Sequence, residues 1–302
     1  MISRNLITNV AKEVGFDLVG VVRAEAMPEL RNRFEEWLLE GNQSTLAYLE
    51  RNVDKRFDQR LLVEGVRSVV VCAVSYLSPL SRGYGDSDVP KVASYAVAKD
   101  YHRQIKQMLS ELAERLCQAA PTLRYRAFTD SAPVAEKSLA VKAGLGWIGR
   151  NSLLVTPDFG SMVLLGELFI SEQSDAYDEP MQDGGCGSCR ACVAACPNSA
   201  ILDYRAIDAR RCISRLTIER ADEEDALPLH GWIFGCDMCQ SVCPYNRRAP
   251  LHRNPRFDAV FDPLSLDRAA WQAMSEEEFE ALAGATPLTR SGLERLKSNI
   301  NK

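Results

Sequence analysis

Apolar side chains recur at helical spacing from the start of the chain. Ile2, Leu6, Val10 and Val14 fall on one face of a helix over residues 2–14, and Gly15 then stops it. Residues 17–22 (DLVGVV) form a short run of strand character. Pro28 opens a second helix with Leu30, Phe34, Trp37 and Leu38 on one face. Residues 66–75 (VRSVVVCAVS) are dense in β-branched side chains and predict a buried strand. The strongest helical period covers residues 100–117, where Tyr101, Ile105, Met108, Leu112 and Leu116 align until Pro121 ends it.

Residues 151–171 read as two strands joined by a turn at Pro157, Asp158, Phe159 and Gly160. Antiparallel pairing of that kind argues against a parallel dinucleotide-binding sheet and for an α/β (α+β) domain with a mixed sheet. The polar, acidic stretch at 171–185 (SEQSDAYDEPMQDGG) is the strongest boundary. The expected division is an α/β domain over residues 1–176, a cysteine-rich module over 177–255 and a short helical tail over 256–302. No internal repeat of solenoid period is present.

Composition narrows the class. With 302 residues, 46% hydrophobic and 25% charged, the chain can bury one large core and a smaller one. A net charge of -5 excludes a general polycation, so any nucleic-acid contact needs a local basic patch. The absence of a long apolar run predicts no membrane-spanning helix, and the polar N-terminus lacks a secretory pattern, so a cytoplasmic location is expected. Of the ten cysteines, Cys72 and Cys117 fall on apolar faces and read as core residues. The other eight lie between Cys186 and Cys243.

Cys186-x2-Cys189-x2-Cys192-x3-Cys196-Pro197 is the spacing of bacterial two-cluster ferredoxins, in which three close thiolates wrap one cubane and the fourth serves its neighbour. Cys236-x2-Cys239-x3-Cys243-Pro244 repeats the ending, and Cys212 completes eight thiolates for two [4Fe–4S] clusters. Under the exchange rule Cys186, Cys189, Cys192 and Cys243 hold one cluster, and Cys196, Cys212, Cys236 and Cys239 hold the other. Zinc knuckles and disulfides fit this spacing less well. The chain therefore moves single electrons at low potential.

The segment before the module is too long for a carrier alone. Gly144, Gly146 and Gly149 crowd around Trp147, either to let backbone approach a flat ligand or as a glycine-rich turn packed by an indole. Asp130 follows a strand-like stretch, so it is either a helix-capping aspartate or a carboxyl group placed to deliver a proton. His102 lies on the long helix, His230 and His252 on loops, and no nucleophile set emerges.

Residues 130–154, DSAPVAEKSLAVKAGLGWIGRNSLL, taken with CGSCRACVAACPNSAI, DARRCISRLTIE and IFGCDMCQSVCPYN, resemble the epoxyqueuosine reductases. KRFDQRLLVEGVRSVVV and SYAVAKDYH extend the resemblance, which covers residues 2–260. It implies a cobalamin-dependent oxidoreductase with two [4Fe–4S] clusters, acting on the epoxide of epoxyqueuosine at the tRNA wobble position. Residues 1–176 then become the cobalamin- and substrate-binding domain, and 177–255 the ferredoxin-like one. The family's proton-donating aspartate falls on Asp130, expected to be neutral through burial against the corrin face. The implied cobalamin pocket takes Arg56, Gly144, Gly146, Trp147, Gly149, Asn151, Ser214 and Asp237.

This sequence departs from the family pattern at several positions. Ser131, Ala132, Glu136 and Lys137 stand where many members have a glycine and a glutamate–arginine pair, and Arg215 stands where a tyrosine is common. The chain ends before the helical repeats of longer members. RNA contact then falls to Arg247, Arg248, Arg253 and Arg256, either a phosphate-binding patch or a solvated arginine-rich loop. Further expectations are an unidentified low-potential electron donor and a monomer. Alternative readings are a corrinoid/iron–sulfur reductase of a small molecule and a ferredoxin-type electron carrier.

Overall fold

The computed structural model describes residues 1–85, 87–219 and 227–302. The strands among them are β1 (Leu18–Arg23), β2 (Ser68–Ser75), β3 (Lys91–Val92), β4 (Tyr125–Phe128), β5 (Trp147–Ile148), β6 (Leu154–Val155), β7 (Val163–Ile170) and β8 (Trp232–Phe234). The main sheet has the order β1-β2-β7-β4, and every neighbouring pair in it is antiparallel. The parallel component of the expected mixed sheet lies outside it, in the short β3–β8 pair that joins the segment before the long helix to the cysteine module.

Strand alternation divides the interior. Val70, Cys72 and Val74 point into a core closed by the helices Arg4–Val14 and Tyr101–Ala119, while Val69, Val71 and Ala73 point into a second core with Phe57, Phe128, Leu139 and Phe169. Gly15 takes φ +106° and ends the first helix as its position predicts. Gly166 in β7 is required for packing, because a Cβ there would stand 2.4 Å from Ile105 of the long helix.

Residues 151–171 do not form the expected two-stranded hairpin. β6 pairs with β5, whereas β7 runs between β2 and β4, and Thr156 and Gly160 close the turn between them. An eight-residue apolar strand satisfies both edges at the centre of a sheet, which an isolated ribbon with a two-residue partner cannot offer.

Residues 256–302 build a third core. Trp271 is fully buried, with Phe279, Leu288, Leu293 and Leu296, against Val92, Ala96 and Val97 on one side and Ile233 and Phe234 on the other. Buried Asn299 donates to the carbonyls of Thr217 at 3.0 Å and Ile233 at 2.9 Å. Arg295 donates to those of Leu216 and Glu219. The C-terminal segment thereby clamps the cysteine module to the preceding α/β part.

Candidate active site

At the end of β4, buried Thr129 donates from Oγ1 to the Leu165 carbonyl, and the chain then turns through Asp130 at φ +55°. Such a left-handed conformation is strained for a residue other than glycine and persists only where its surroundings impose it. Here the Asp130 N–H donates to Glu136 Oε1 at 2.5 Å. The helix-capping reading of Asp130 does not apply: the cap position of helix Glu136–Lys142 is Ala135, and no side chain bonds there.

The Asp130 carboxylate accepts from the Tyr101 hydroxyl and faces His102 Nε2 at 3.2 Å. His102 Nδ1 stands 2.7 Å from Asp100 Oδ1, and Asp100 caps the long helix by accepting the His102 N–H. Both ring nitrogens thus meet carboxylate oxygens, which only accept, so the doubly protonated imidazolium satisfies the site. The Asp100 and Asp130 hydrogen bonds push His102 up to about 9. The His102 hydrogen bond in turn holds Asp130 below the usual carboxylate range, against its desolvation. These hydrogen bonds favour an ionised Asp130 beside a protonated imidazole, the opposite direction from the neutral Asp130 expected against a corrin face.

Asp130 lies in a cleft. Its side chain is 49% exposed, yet protein surrounds it closely enough to desolvate its charge. Lys137 is also exposed by area, but its surroundings lower its pKa, and its Nζ donates to the Ser152 carbonyl at 2.6 Å. Tyr48 is exposed while burial raises its pKa, helped by the charges of Glu219 and Asp130. Arg56, whose pKa is lowered by desolvation, stacks 5.5 Å from the Phe34 ring and leaves Nε without a partner. Arg290 pairs with Glu219 at 2.5 Å and reaches the same cleft from the C-terminal segment. Half-buried Tyr95 feels the charges of both Asp237 and Asp130, which connects this cleft to the cysteine module.

The eight module thiols fall around two centres. Cys192 is electrostatically coupled to Cys186 and Cys243, and Cys189 follows Cys186 in a tight turn that Arg150 holds through the Gly187 and Cys189 carbonyls. Cys196, Cys212, Cys236 and Cys239 couple among themselves. Backbone N–H groups meet the sulfurs: Ala200 donates to Cys196, Ser214 and Arg215 to Cys212, and Met238 to Cys236. Asn151 Nδ2 lies 3.9 Å from Cys239 Sγ. Donors of this kind stabilise charge on cluster thiolates, so the residues fit two cubanes.

The other sequence-predicted positions separate. Asn151 and Asp237 adjoin the second thiol group; Asp237 is buried, raised to about 6 by desolvation, and accepts the Ser94 N–H at 2.7 Å. Ser214 lies in the first turn after Cys212. The glycines serve the chain itself: a Cβ on Gly144 would meet the Glu179 carbonyl at 2.7 Å, one on Gly146 that of Val155 at 2.1 Å, and one on Gly149 the Asn151 side chain at 2.7 Å. Trp147 packs on Gly184 and Tyr245. Packing of the chain alone thus requires glycine at these three positions, and the turn carries Asn151 to Cys239.

Arg248 stacks on Tyr245, whereas Arg256 is committed to Glu111 at 2.7 Å and Gln107 at 3.4 Å, and Arg253 lies within reach of the Asp17 charge. The basic patch is smaller in space than in sequence. Cavities of about 330 Å³ beside Arg67 and Arg124, and of about 620 Å³ beside Leu38 and Leu39, include no thiol and no member of the Asp130 cluster. Sequence reasoning missed Tyr101, His102, Glu136, Glu167 and Arg290; the one local signal was Glu167, an acid inside the apolar run VLLGELFI.

Comparison with known proteins gives a consistent picture. The 4Fe-4S double cluster binding domain matches residues 185–246, and the family described as epoxyqueuosine reductase QueG, DUF1730, matches residues 56–131. Epoxyqueuosine reductase of Cyclobacterium marinum is 38% identical over 98% of this chain and 95% of the relative. That of Pseudomonas aeruginosa is 37% identical over 96% and 81%. A selenomethionine-labeled epoxyqueuosine reductase superposes with a TM-score of 0.88 at 26% identity, covering 98% of this chain and 80% of that one. An epoxyqueuosine reductase with a tRNA-Tyr epoxyqueuosine-modified stem loop gives 0.86 at 26% identity over 98% and 79%.

Proposed function

Since the chain belongs to the epoxyqueuosine reductase family, we propose that it removes the epoxide oxygen of epoxyqueuosine in tRNA, with cobalamin and two [4Fe–4S] clusters as its cofactors. The observation that carries this reading beyond family membership is the cleft itself. Asp130 lies against His102, and Tyr95, which feels the Asp130 charge, also feels that of Asp237 beside the second group of thiols.

When bound, the clusters supply single electrons and cobalamin a strongly reducing cobalt beside the substrate. The thiols Cys186, Cys189, Cys192 and Cys243 would hold one cluster, and Cys196, Cys212, Cys236 and Cys239 the other. Tyr48, Arg56, Tyr95, Asn151 and Asp237 would line the cobalamin side of the cleft. Converting an epoxide to an alkene and water consumes two electrons and two protons, and an oxygen leaving from a desolvated site needs the protons delivered locally. Asp130 presents its carboxylate toward that oxygen, and His102 supplies the proton through the Asp130 Oδ2 that it faces. Tyr101 orients the same carboxylate.

The tRNA would lie across the cleft mouth, with Arg247, Arg248 and Arg253 toward its phosphates. No helix among the described residues is long and apolar enough to cross a membrane, and cytoplasmic tRNA is the substrate pool this reading requires. The deciding experiment incubates the cluster- and cobalamin-loaded protein with epoxyqueuosine-containing tRNA and a low-potential reductant, then digests the tRNA and measures its nucleosides by mass spectrometry. Conversion to queuosine is expected. Unchanged epoxyqueuosine with both cofactors bound would overturn the assignment.

A further inference from the structure

Glu167 occupies the middle of β7, opposite Val71 of β2 and Phe128 of β4, on the face of the sheet that helix Glu136–Lys142 covers. It is fully buried. Neither of its carboxyl oxygens receives an N–H or O–H from any described group. Among the described residues the one polar side chain within hydrogen-bonding reach is Glu136, another carboxyl. Two carboxylates facing each other in an apolar core are both acceptors and both negative, so the contact is repulsive unless a proton lies between them. The same Glu136 accepts the Asp130 N–H at 2.5 Å and so fixes the strained turn on which Asp130 stands.

We propose that Glu136 and Glu167 share one proton, and that this proton-bridged pair latches the Asp130 turn in its working conformation, which makes Glu167 a positioning residue for the reaction proposed above. With the proton in place, the Glu167 hydroxyl donates to Glu136 and leaves Glu136 Oε1 directed at the Asp130 amide. Without it the two carboxylates repel, Glu136 is displaced toward the cleft, and nothing maintains φ +55° at Asp130. The arrangement is the buried acid pair familiar from sites that hold a single proton between two carboxyl groups.

The charged and titratable groups that face the pair are Asp130 from the turn, Lys137 from the covering helix, Arg56 from helix Val53–Phe57 and Tyr101 from the long helix, while Cys72 feels the Glu167 charge from the opposite face of β2. Burial followed by the Asp130 charge pushes Glu136 up to about 7. Burial and the Glu136 charge push Glu167 higher still. The cations Lys137 and Arg56 bear on Glu136 and not on Glu167, so the proton is held mainly on Glu167 at neutral pH.

The test has a spectroscopic arm and a kinetic arm, both on the cluster-loaded full chain. Infrared spectra taken from about pH 6 to about pH 9, in ordinary and heavy water, should show a carboxylic-acid carbonyl band near neutrality that bleaches as pH rises. Glu167→Gln should abolish the band, and Glu136→Gln should abolish it too, because either amide replaces the shared proton with a permanent N–H donor and leaves its partner ionised. In the kinetic arm the wild-type rate on epoxyqueuosine tRNA falls as the pair deprotonates. Each glutamine variant should move that alkaline fall upward by about one pH unit or more. Absence of the band in the wild type, or an alkaline limb that Glu167→Gln and Glu136→Gln both leave in place, would overturn the proposal. The infrared arm needs no substrate, so a protein that shows the band but never reduces the epoxide would refute the assigned reaction and not the shared proton.

Discussion

His102 Nε2 stands 3.2 Å from Asp130 Oδ2 while the opposite ring nitrogen rests 2.7 Å from Asp100, so the histidine is clasped between two carboxylates at the start of one helix. This places the site's labile proton on a ring that holds it more firmly than free imidazole, next to the group that faces the substrate. A lone buried aspartic acid would deliver its proton once and then depend on slow exchange through the cleft. The clasp instead keeps Asp130 ionised and supplied.

Asp130→Asn removes the acceptor through which that proton reaches the substrate. The variant should retain both clusters and bound cobalamin, seen as unchanged visible absorbance, and lose about 10²–10⁴-fold in turnover of epoxyqueuosine tRNA. A rate close to wild type would remove the aspartate from the mechanism.

His102 also makes a stability prediction. Its pKa is raised from 6.5 to about 9, by the Asp100 hydrogen bond first and the Asp130 bond second. A raised cationic group stabilises the fold fully below its unfolded value, and the contribution disappears as pH rises through the folded one. The Tm of wild type should therefore exceed that of His102→Gln most below about pH 6.5, with the gap closing above about pH 9. A gap that widens with pH would show that the imidazolium clasp is absent.

The crossing of the two cysteine runs can be read from iron content. Cys186→Ala combined with Cys243→Ala strips one cluster and should leave about four irons per chain, whereas Cys186→Ala combined with Cys196→Ala removes a ligand from each cluster and should leave almost none. The reverse result, almost no iron in the Cys186/Cys243 variant and about four irons in the Cys186/Cys196 variant, would mean that each run holds its own cluster.

Asn299 joins the C-terminal helix to both the Thr217 and the Ile233 carbonyls from a position that is 2% exposed. Asn299→Ala leaves two buried acceptors without donors, which should cost roughly 2–4 kcal/mol. Thermal scans of the cluster-loaded protein should show Tm lower by several degrees. An unchanged Tm would mean that the clamp between the C-terminal segment and the cysteine module does not contribute to the fold.

Much of this molecule is written locally. Helix faces such as Tyr101–Leu116 and the wholly buried β2 follow from side-chain period and β-branching, and those elements occur where the pattern places them. The turn at residues 157–160 was equally legible, but not what it connects: whether β7 pairs with β6 or lies between β2 and β4 depends on partners distant in the chain. The packing that requires the glycines around Trp147 was not legible, because spacing alone does not say which atoms stand opposite a missing Cβ.

The sequence by itself determined the metal chemistry, since the close spacing within Cys186–Cys192 and Cys236–Cys239 is what lets neighbouring thiolates wrap one cubane, and that spacing survives any arrangement of the rest. Only the tertiary structure decided the protonation states. Whether Asp130 is charged, whether His102 is a cation and whether Glu136 and Glu167 share a proton depend on groups that folding brings within a few ångströms from β4, β7 and two helices. The free energy of a charge is set by its dielectric surroundings and nearest partners, and none of these is encoded at neighbouring positions in the chain.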